Sequence, residues 1–211
     1  MTSISNHKPP PGLLLHKAVL YDFGVWLMLL GREQAFRERM LEPARLRCGE
    51  SVLDIGCGTG SVAIAAKRQV GPDGTVAGLD ASAEMLARAG YKAGKAGLDV
   101  TFTQAAAQNL PLPNATFDVV TATLMLHHLP RAAREQCSRE MSRVLKPGGR
   151  ALAVDFGTPA RKRWWAPRSS HRHGHVALES MIAILEAAGL KIVETGAIRR
   201  NLGFALAMKS G

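Results

Sequence analysis

The most informative segment of the sequence is the run VLDIGCGTGSVAIAA, residues 52–66. It places Asp54 near the end of an apolar strand, then Gly56, Gly58 and Gly60 at alternate positions, then a helical stretch. Glycine allows a tight turn and a close approach of a ligand to the backbone, and the start of a helix offers unpaired N–H groups. The segment therefore predicts a ligand-binding turn.

A second acidic residue strengthens this prediction. Asp80 stands twenty residues after Gly60, at the end of the next apolar run. An acid at this spacing is placed to accept hydrogen bonds from the two hydroxyls of a ribose, so we expect a ligand that carries adenosine. The glycine spacing differs from the dinucleotide fingerprint G-x-G-x-x-G, and the chain has no G-x-x-x-x-G-K-[ST] phosphate loop.

Further chemically competent residues follow two later apolar runs. His127 and His128 come just after residues 117–123, and Asp155 lies at the end of residues 150–156. Ligands of open α/β sheets bind beyond the carboxyl ends of the strands, so these residues are candidates for a general base or a substrate contact. The alternatives are a structural role for both histidines and a cap of a helix or loop for Asp155.

The elements that must position these residues alternate between short β-branched or apolar runs and longer stretches of helical period, which predicts an α/β fold with a doubly wound sheet. Two short stretches that contain glycine are predicted to interrupt the regular elements. Pro147-Gly148-Gly149 is predicted to end a helix, and Asn201 with Gly203 is predicted to form a hairpin turn. The predicted sheet has seven strands and is mostly parallel, with an antiparallel C-terminal hairpin. The predicted strands are 51–55, 75–79, 99–103, 117–123, 150–156, 191–197 and 203–209, and the helices between them are 60–70, 82–96, 131–145 and 176–189.

A chain of 211 residues has the length of one globular domain, so we predict an N-terminal helical cap over residues 1–47 and a sheet domain over residues 48–211. No apolar stretch reaches the length of a membrane span, and the start lacks the pattern of a secretory signal. Three cysteines without metal or pairing spacing fit reduced thiols. We therefore expect a cytoplasmic protein.

The net charge of +10 is concentrated near the C-terminus, because residues 156–211 hold nine basic and three acidic groups. Residues 161–175, RKRWWAPRSSHRHGH, contain most of these cations beside Trp164 and Trp165 and are called the cationic segment here. Cations beside tryptophans suit an anionic small molecule, an acidic membrane surface or nucleic acid. The sequence lacks the N-P-P-Y or D-P-P-Y tetrads and the Pro-Cys pair used in common base methylation, which disfavours nucleic acid.

The D-x-G-x-G-x-G motif resembles the first motif of class I S-adenosylmethionine-dependent methyltransferases. The resemblance extends over about residues 19–211, and it is closest to the branch that contains ubiquinone/menaquinone-type and other small-molecule or lipid methyltransferases. It also includes LD at 79–80, NLPLPNATFDVV at 109–120, LMLHHLP at 124–130 and LKPGGR at 145–150. These motifs are specific for cofactor and fold, and they say little about the substrate.

The resemblance implies S-adenosylmethionine as cofactor and S-adenosylhomocysteine as product. It implies that Asp54 and the glycine turn lie near the methionine end and that Asp80 binds the ribose. The usual acidic residue that binds the adenine amino group is replaced by Ala106, so that contact falls to backbone groups at Ala106 and Ala107 or to Gln104 or Gln108, with Gln108 favoured. Three further residues complete the implied cofactor site: Ala81 and Met85 against the adenine, and Leu124 through a backbone carbonyl of the stretch 121–124.

We therefore predict a methyltransferase that acts on an O, N or C atom of a small, largely apolar molecule, such as a quinone precursor, lipid or secondary metabolite. Candidate catalytic residues are His127, His128 and Tyr21, and candidate substrate contacts are Tyr21, Asp155, Trp164 and Trp165. No metal is expected, because methyl transfer from a sulfonium needs none and nothing local completes a ligand set with His171, His173 and His175.

Three alternative functions remain open, and the sequence also raises expectations about binding partners. Loss of the adenine-binding acid is compatible with a cofactor-binding sensor without turnover, and the cationic segment is compatible with an RNA or a protein methyltransferase. The apolar N-terminal stretch VWLMLL either lines a pocket, contacts lipid at a membrane surface or packs against the sheet. We expect a monomer or a homodimer.

Overall fold

The structure, a computed structural model, describes residues 33–157 and 176–211. Several predicted features lie outside these ranges: most of the helical cap, Tyr21, Trp164 and Trp165, and the cationic segment with its three histidines. The roles predicted for them, and the domain boundary at residue 47, stay predictions.

The described residues form a seven-stranded sheet of order β3-β2-β1-β4-β5-β7-β6. All neighbouring strands pair in parallel except β7, which runs antiparallel to both β5 and β6. The predicted fold class, a mostly parallel sheet with an antiparallel C-terminal hairpin, is confirmed. The strands are β1 (Ser51–Ile55), β2 (Thr75–Asp80), β3 (Thr101–Gln104), β4 (Phe117–Thr123), β5 (Leu145–Phe156), β6 (Leu190–Arg199) and β7 (Leu202–Lys209).

Helices cover both faces of this sheet. The four helices predicted between the strands are confirmed, with ends that differ by at most two residues. Ser82 is the N-cap of α3, because its hydroxyl accepts a hydrogen bond from the N–H of Met85 at 3.3 Å. The described helices are α1 (Glu33–Leu41), α2 (Ser61–Val70), α3 (Ala83–Lys95), α4 (Arg131–Val144) and α5 (Leu178–Ala187), with 3-10 turns at Glu42–Ala44 and Leu126–His128.

One predicted break in the chain is placed differently. Helix α4 ends at Val144, and Pro147-Gly148-Gly149 lies inside β5, where the pairing with β4 shifts register. A side chain at Gly149 would stand 2.9 Å from the carbonyl oxygen of Lys146, so the irregular strand requires glycine there. Gly203 lies within β7, paired with Asp155, which agrees with the predicted strand 203–209, and the hairpin turn is at Arg200 and Asn201.

Two apolar clusters fill the space between the sheet and its helices. On β1, Leu53 and Ile55 point into the cluster shared with α4 and α5, whereas Val52 points into the cluster shared with α1 and α2. Side chains of a strand alternate between faces, so Asp54 points to the same side as Val52. The described part of the N-terminal segment belongs to this second cluster through Met40, which is fully buried. Within the described ranges, no helix combines the length and apolarity needed to cross a membrane.

Candidate functional site

A cavity opens at the carboxyl ends of β1, β2 and β4, and its walls are the loops that follow these strands. This is where the strand order reverses in an open α/β sheet, the usual place for a ligand. Most residues predicted for cofactor binding line this cavity, together with one of the two histidines: Gly56, Gly58, Asp80, Ala81, Met85, Ala106, Ala107, Gln108, Leu124 and His128.

The three glycines of the turn adopt positive φ angles, but they are needed for different reasons. A side chain at Gly56 would stand 2.7 Å from the side chain of Met125, and one at Gly60 would stand 2.8 Å from Ala89. These two glycines allow close internal packing, and Gly60 does not line the cavity. At Gly58 nothing lies within 4 Å of such a side chain, so this backbone borders open space in the cavity wall.

Asp80 joins the loops that follow β1 and β2. One carboxylate oxygen accepts a hydrogen bond from the N–H of Gly58 at 2.8 Å, and the other accepts one from the N–H of Ser82 at 2.9 Å. The residue is half-buried and lines the cavity. Because each carboxylate oxygen can accept more than one hydrogen bond, Asp80 retains acceptor capacity for ligand hydroxyls.

The loop after β3 forms the opposite wall of the cavity. It is tied to β2, because the N–H of Ala105 donates to the carbonyl oxygen of Asp80 at 3.0 Å. Gln104 does not line the cavity, and its side-chain amide donates to the carbonyl oxygen of Ala81 at 2.9 Å. Of the two glutamines considered for the adenine contact, only Gln108 lines the cavity among the described residues.

Asp54 lies behind the glycine turn and does not line the cavity. It is almost completely buried, and one of its oxygens accepts a hydrogen bond from the hydroxyl of Thr121 at 2.8 Å. Its other oxygen, Oδ2, has no hydrogen-bond partner among the described residues. Burial raises the pKa of Asp54 to about 7, although the hydrogen bond from Thr121 opposes the shift. The alternation along β1 turns this side chain toward α2, away from the cavity.

The two histidines lie in a 3-10 turn after β4 and have different surroundings. His128 is half-buried and lines the cavity. Burial lowers the pKa of His128, and the neighbouring His127 lowers it further. His128 is therefore neutral at pH 7 and can accept a proton. The ring centroids of the two histidines are 3.9 Å apart.

His127 does not line the cavity and is held by Asp155. Its ring Nδ1 lies 2.7 Å from one carboxylate oxygen of Asp155, and its backbone N–H donates to the other oxygen at 3.0 Å. Asp155 also accepts a hydrogen bond from the N–H of Phe156 at 2.7 Å and is fully buried. The described structure therefore gives Asp155 the alternative role of a loop cap, in place of the predicted direct contact with substrate.

Leu124 turns the chain from β4 into the cavity wall with a φ of +54°, a value that is rare for a residue with a large side chain. Its N–H donates to the carbonyl oxygen of Val154 at 2.8 Å, which holds the turn. Strained backbone of this kind is concentrated at functional sites. The residue lines the cavity, and the cofactor contact through its backbone carbonyl stays a prediction.

Arg37 is a cavity residue that our sequence analysis missed. It projects from α1, is 7% exposed and lines the cavity beside the start of α2. The sequence carries a signal, because Arg37, Met40, Leu41 and Ala44 share the i, i+3, i+4, i+7 spacing of one helix face, and the three apolar members are fully buried. An arginine on the buried face of an amphipathic helix marks a position where a charge is needed.

Comparison with known proteins agrees with this geometry. The sequence model of a protein family, described as a methyltransferase domain, matches residues 52–149 of this chain. The ubiquinone/menaquinone biosynthesis C-methyltransferase UbiE of Bdellovibrio bacteriovorus is 34% identical over 158 residues, which make up 73% of this chain and 66% of that protein. The 27-O-demethylrifamycin SV methyltransferase of Amycolatopsis mediterranei is 42% identical over 121 residues, 56% of this chain and 43% of that protein. The chain thus spans less than two thirds of the length of these curated relatives.

A solved structure supports the same assignment. The crystal structure of a SAM-dependent methyltransferase from Aquifex aeolicus superposes with a TM-score of 0.70 and 26% sequence identity, covering 84% of this chain and 92% of that one. The matched domain includes the glycine turn, Asp80 and the histidine turn. Together with the fold and the cavity, these matches show that the chain contains a class I S-adenosylmethionine-dependent methyltransferase domain.

Proposed function

We propose that this chain transfers a methyl group from S-adenosylmethionine to an O, N or C atom of a small, largely apolar molecule. The observation that carries the proposal is one cavity lined by the glycine turn, by Asp80 and by His128. This arrangement combines a cofactor cradle with a proton acceptor. The match to S-adenosylmethionine-dependent methyltransferases supports the choice of cofactor. The lining of the cavity supports a small, largely apolar acceptor and a histidine as its base.

The residues present fit the cofactor. The open backbone position at Gly58 leaves room for a ligand, and the remaining acceptor capacity of Asp80 suits the ribose hydroxyls. Met85 supplies an apolar surface for the adenine, and Gln108 supplies an amide where the family's usual acid is absent. An amide can both donate and accept, so it can pair with an adenine edge.

The cofactor supplies a methyl group on a sulfonium, which is already an excellent leaving group. The protein therefore needs to orient the acceptor atom, exclude water and remove the acceptor's proton where one must leave. The apolar walls of the cavity, including Leu124, Met125 and Leu129, suit the exclusion of water. They also suit an acceptor that is largely apolar.

We assign the role of general base to His128, because it lines the cavity and its lowered pKa keeps it neutral. His127 and Asp155 act through it as positioning residues: the carboxylate of Asp155 holds the ring and backbone of His127, which packs on His128. Tyr21, Trp164 and Trp165 remain the predicted contacts to substrate from outside the described residues.

The relatives indicate where to begin the search for the acceptor. One is named for C-methylation in ubiquinone and menaquinone biosynthesis, and another for methylation of 27-O-demethylrifamycin SV. Both names describe small molecules, and they differ in the methylated atom. A quinone precursor or a secondary metabolite is therefore the first class of acceptor to test.

The proposal is tested by incubating the purified protein with S-adenosylmethionine and each of two acceptors, demethylmenaquinol and 27-O-demethylrifamycin SV. Release of S-adenosylhomocysteine is measured, and the product is identified by mass spectrometry. We expect acceptor-dependent release from at least one aromatic acceptor in a panel extended to simple catechols and hydroquinones. The Asp80→Ala variant serves as a control that should lose this activity.

Binding separates the two parts of the proposal. If titration calorimetry shows no binding of S-adenosylmethionine or S-adenosylhomocysteine at millimolar concentration, the cofactor assignment fails. If both bind and no acceptor in the panel is methylated, the methyltransferase proposal gives way to a cofactor-binding sensor. If methylation is found only on RNA or protein, the small-molecule assignment is wrong.

A further inference from the structure

The loop between β3 and β4 forms one wall of the cavity, and its sequence gives it few hydrogen bonds of its own. Residues 105–108 line the cavity. The chain continues as Asn109-Leu110-Pro111-Leu112-Pro113, and proline has no backbone N–H to donate. Residues that precede a proline favour an extended conformation over a helical one. The loop therefore depends on groups outside it for its position.

Two side chains of α4 hold this loop. Glu140 accepts a hydrogen bond from the N–H of Leu110 at 2.7 Å. Arg143 donates to the carbonyl oxygen of Leu110 at 3.0 Å and to that of Leu112 at 2.7 Å. In the part of the chain that the structure describes, residues 106–112 form hydrogen bonds to other elements only through these two side chains.

The two side chains are also paired with each other. Arg143 donates to both carboxylate oxygens of Glu140, through Nε and Nη2 at 2.7 Å each, and both side chains are partly buried. This two-pronged geometry is the strong form of an arginine–carboxylate pair. The hydrogen bonds from Arg143 lower the pKa of Glu140, so the carboxylate is ionised at neutral pH. The pair thus presents a fixed acceptor and fixed donors to Leu110.

We infer that Glu140 and Arg143 are positioning residues for cofactor binding, because they hold the loop that carries Gln108 in the cavity wall. The inference rests on the proposed use of the cavity by S-adenosylmethionine. Neither side chain lines the cavity, so both act through the backbone of Leu110. The other end of the loop is fixed to β2 by the N–H of Ala105.

The size of the effect depends on the fraction of molecules in which the loop is in place. The apparent affinity for a ligand falls in proportion to the fraction of protein that is competent to bind. Lysine keeps the positive charge of Arg143, but one ammonium group does not reproduce a planar fork that bonds a carboxylate and two carbonyl oxygens. If Arg143→Lys leaves the loop in place in about a tenth of the molecules, the cofactor binds about tenfold more weakly.

The test compares Arg143→Lys and Glu140→Gln with the same substitutions in a second ion pair of α4. Arg131 and Glu135 form that pair at 3.0 Å; it is more exposed, and neither residue lines the cavity. The controls are therefore Arg131→Lys and Glu135→Gln. Calorimetry measures the dissociation constants of S-adenosylhomocysteine and of S-ribosylhomocysteine, which lacks the adenine. Hydrogen exchange of the unliganded chains and melting temperatures are recorded for all variants.

Arg143→Lys should bind S-adenosylhomocysteine about tenfold more weakly than the unaltered chain and keep its affinity for S-ribosylhomocysteine. Glu140→Gln should show a smaller loss, since an amide oxygen can still accept from Leu110. In both variants residues 106–112 should exchange faster, whereas the glycine turn, residues 56–60, should exchange as in the unaltered chain. The unchanged glycine turn provides a second check that the variants are folded. The two control variants should match the unaltered chain in every measurement.

Three results would overturn the inference. Faster exchange of residues 106–112 with unchanged affinity for S-adenosylhomocysteine would show that binding does not need the loop to be held. Equal losses of affinity for the two ligands, or faster exchange of the glycine turn, would indicate a general structural role. Unchanged exchange in both variants would show that the pair does not hold the loop. If the unaltered chain binds neither ligand, the proposed use of the cavity is refuted, and hydrogen exchange still reports whether the pair holds the loop.

Discussion

Two strands of the sheet, β2 and β5, each end in an aspartate, and the two carboxylates have opposite surroundings. Asp80 accepts two backbone hydrogen bonds and still faces the cavity. Asp155 accepts hydrogen bonds from two backbone N–H groups and lies beside the ring of His127, and it is fully buried. One acid is therefore placed to touch a ligand, and the other acts through a neighbour.

The difference arises from the strands that lie beside each aspartate. The antiparallel strand β7 begins where β5 ends, so Asp155 is paired with Gly203 and covered. Strand β2 lies between β1 and β3, which run in the same direction, so their loops leave the same edge and surround an open space. The carboxyl end of β2, between two parallel strands, is accessible to a ligand. The carboxyl end of β5 is covered by the start of its antiparallel neighbour β7.

The comparison predicts the largest effect for His128, which faces the cavity. His128→Ala should lower kcat by about a hundredfold, as expected for loss of a general base, and leave the affinity for S-adenosylhomocysteine unchanged. His127→Ala should lower kcat less, because His127 acts through His128. Steady-state kinetics and calorimetry provide the two readouts. Full activity in both variants would remove histidine from the mechanism.

The next largest effect concerns Asp80, the aspartate that faces the cavity. Asp80→Ala should weaken the binding of S-adenosylmethionine at least tenfold, about 1.4 kcal/mol, because the ribose hydroxyls and the N–H groups of Gly58 and Ser82 lose their acceptor. Asp73→Ala, at an exposed aspartate in the preceding turn, is the matched control. Unchanged affinity in Asp80→Ala would reject the ribose contact.

The buried carboxylate of Asp155 should affect turnover without affecting cofactor affinity. Asp155→Asn should lower kcat by about tenfold, since it loosens His127. Protonation of His128 at acid pH removes the base, so activity falls there. The carboxylate of Asp155 raises the pKa of His128, so its loss should move this fall in activity to lower pH. A pH profile of kcat measures both effects, and a lower kcat with an unmoved profile would indicate a structural role only.

The smallest effect concerns stability. Burial raises the pKa of Asp54 to about 7. Below about pH 4 the carboxyl is protonated in both the folded and the unfolded chain, and its burial costs no ionisation energy. As the pH rises through 7, the buried group ionises and the free energy of unfolding falls. Asp54→Asn should therefore raise Tm by about 2 to 8 °C at pH 8 and by much less at pH 4.5. Thermal unfolding at the two pH values checks this.

A contrasting aspartate provides the control for that measurement. Burial acts to raise the pKa of Asp118, but its hydrogen bonds with Lys146 and with the N–H of Ser51 lower it overall. Its contribution to stability is therefore present at neutral pH and lost in acid. Asp118→Asn should lower Tm at pH 8, the opposite sign to Asp54→Asn. The same sign in both variants would contradict the burial explanation.

Features that depend on short stretches of chain could be predicted. The positions of the helices, the capping by Ser82 and the seven strands follow from local periodicity and local hydrogen bonding, and they are confirmed. The start of β5 could not be predicted, because Leu145 belongs to the strand through its pairing with Phe117, far away in the chain. Such pairing overrides the local preference of a Pro-Gly-Gly run.

The sequence by itself determined the fold class, the glycine turn with Asp80, and the family, because each is encoded in spacing along a short stretch. Only the tertiary structure decided that His128 lines the cavity, that Asp155 is buried and that Arg37 reaches the cofactor cavity. The physical reason is that exposure and hydrogen-bond partners are set by elements distant in sequence. Strand β7 covers one acid, and helix α1 brings in a cation that no local pattern assigns to the cavity.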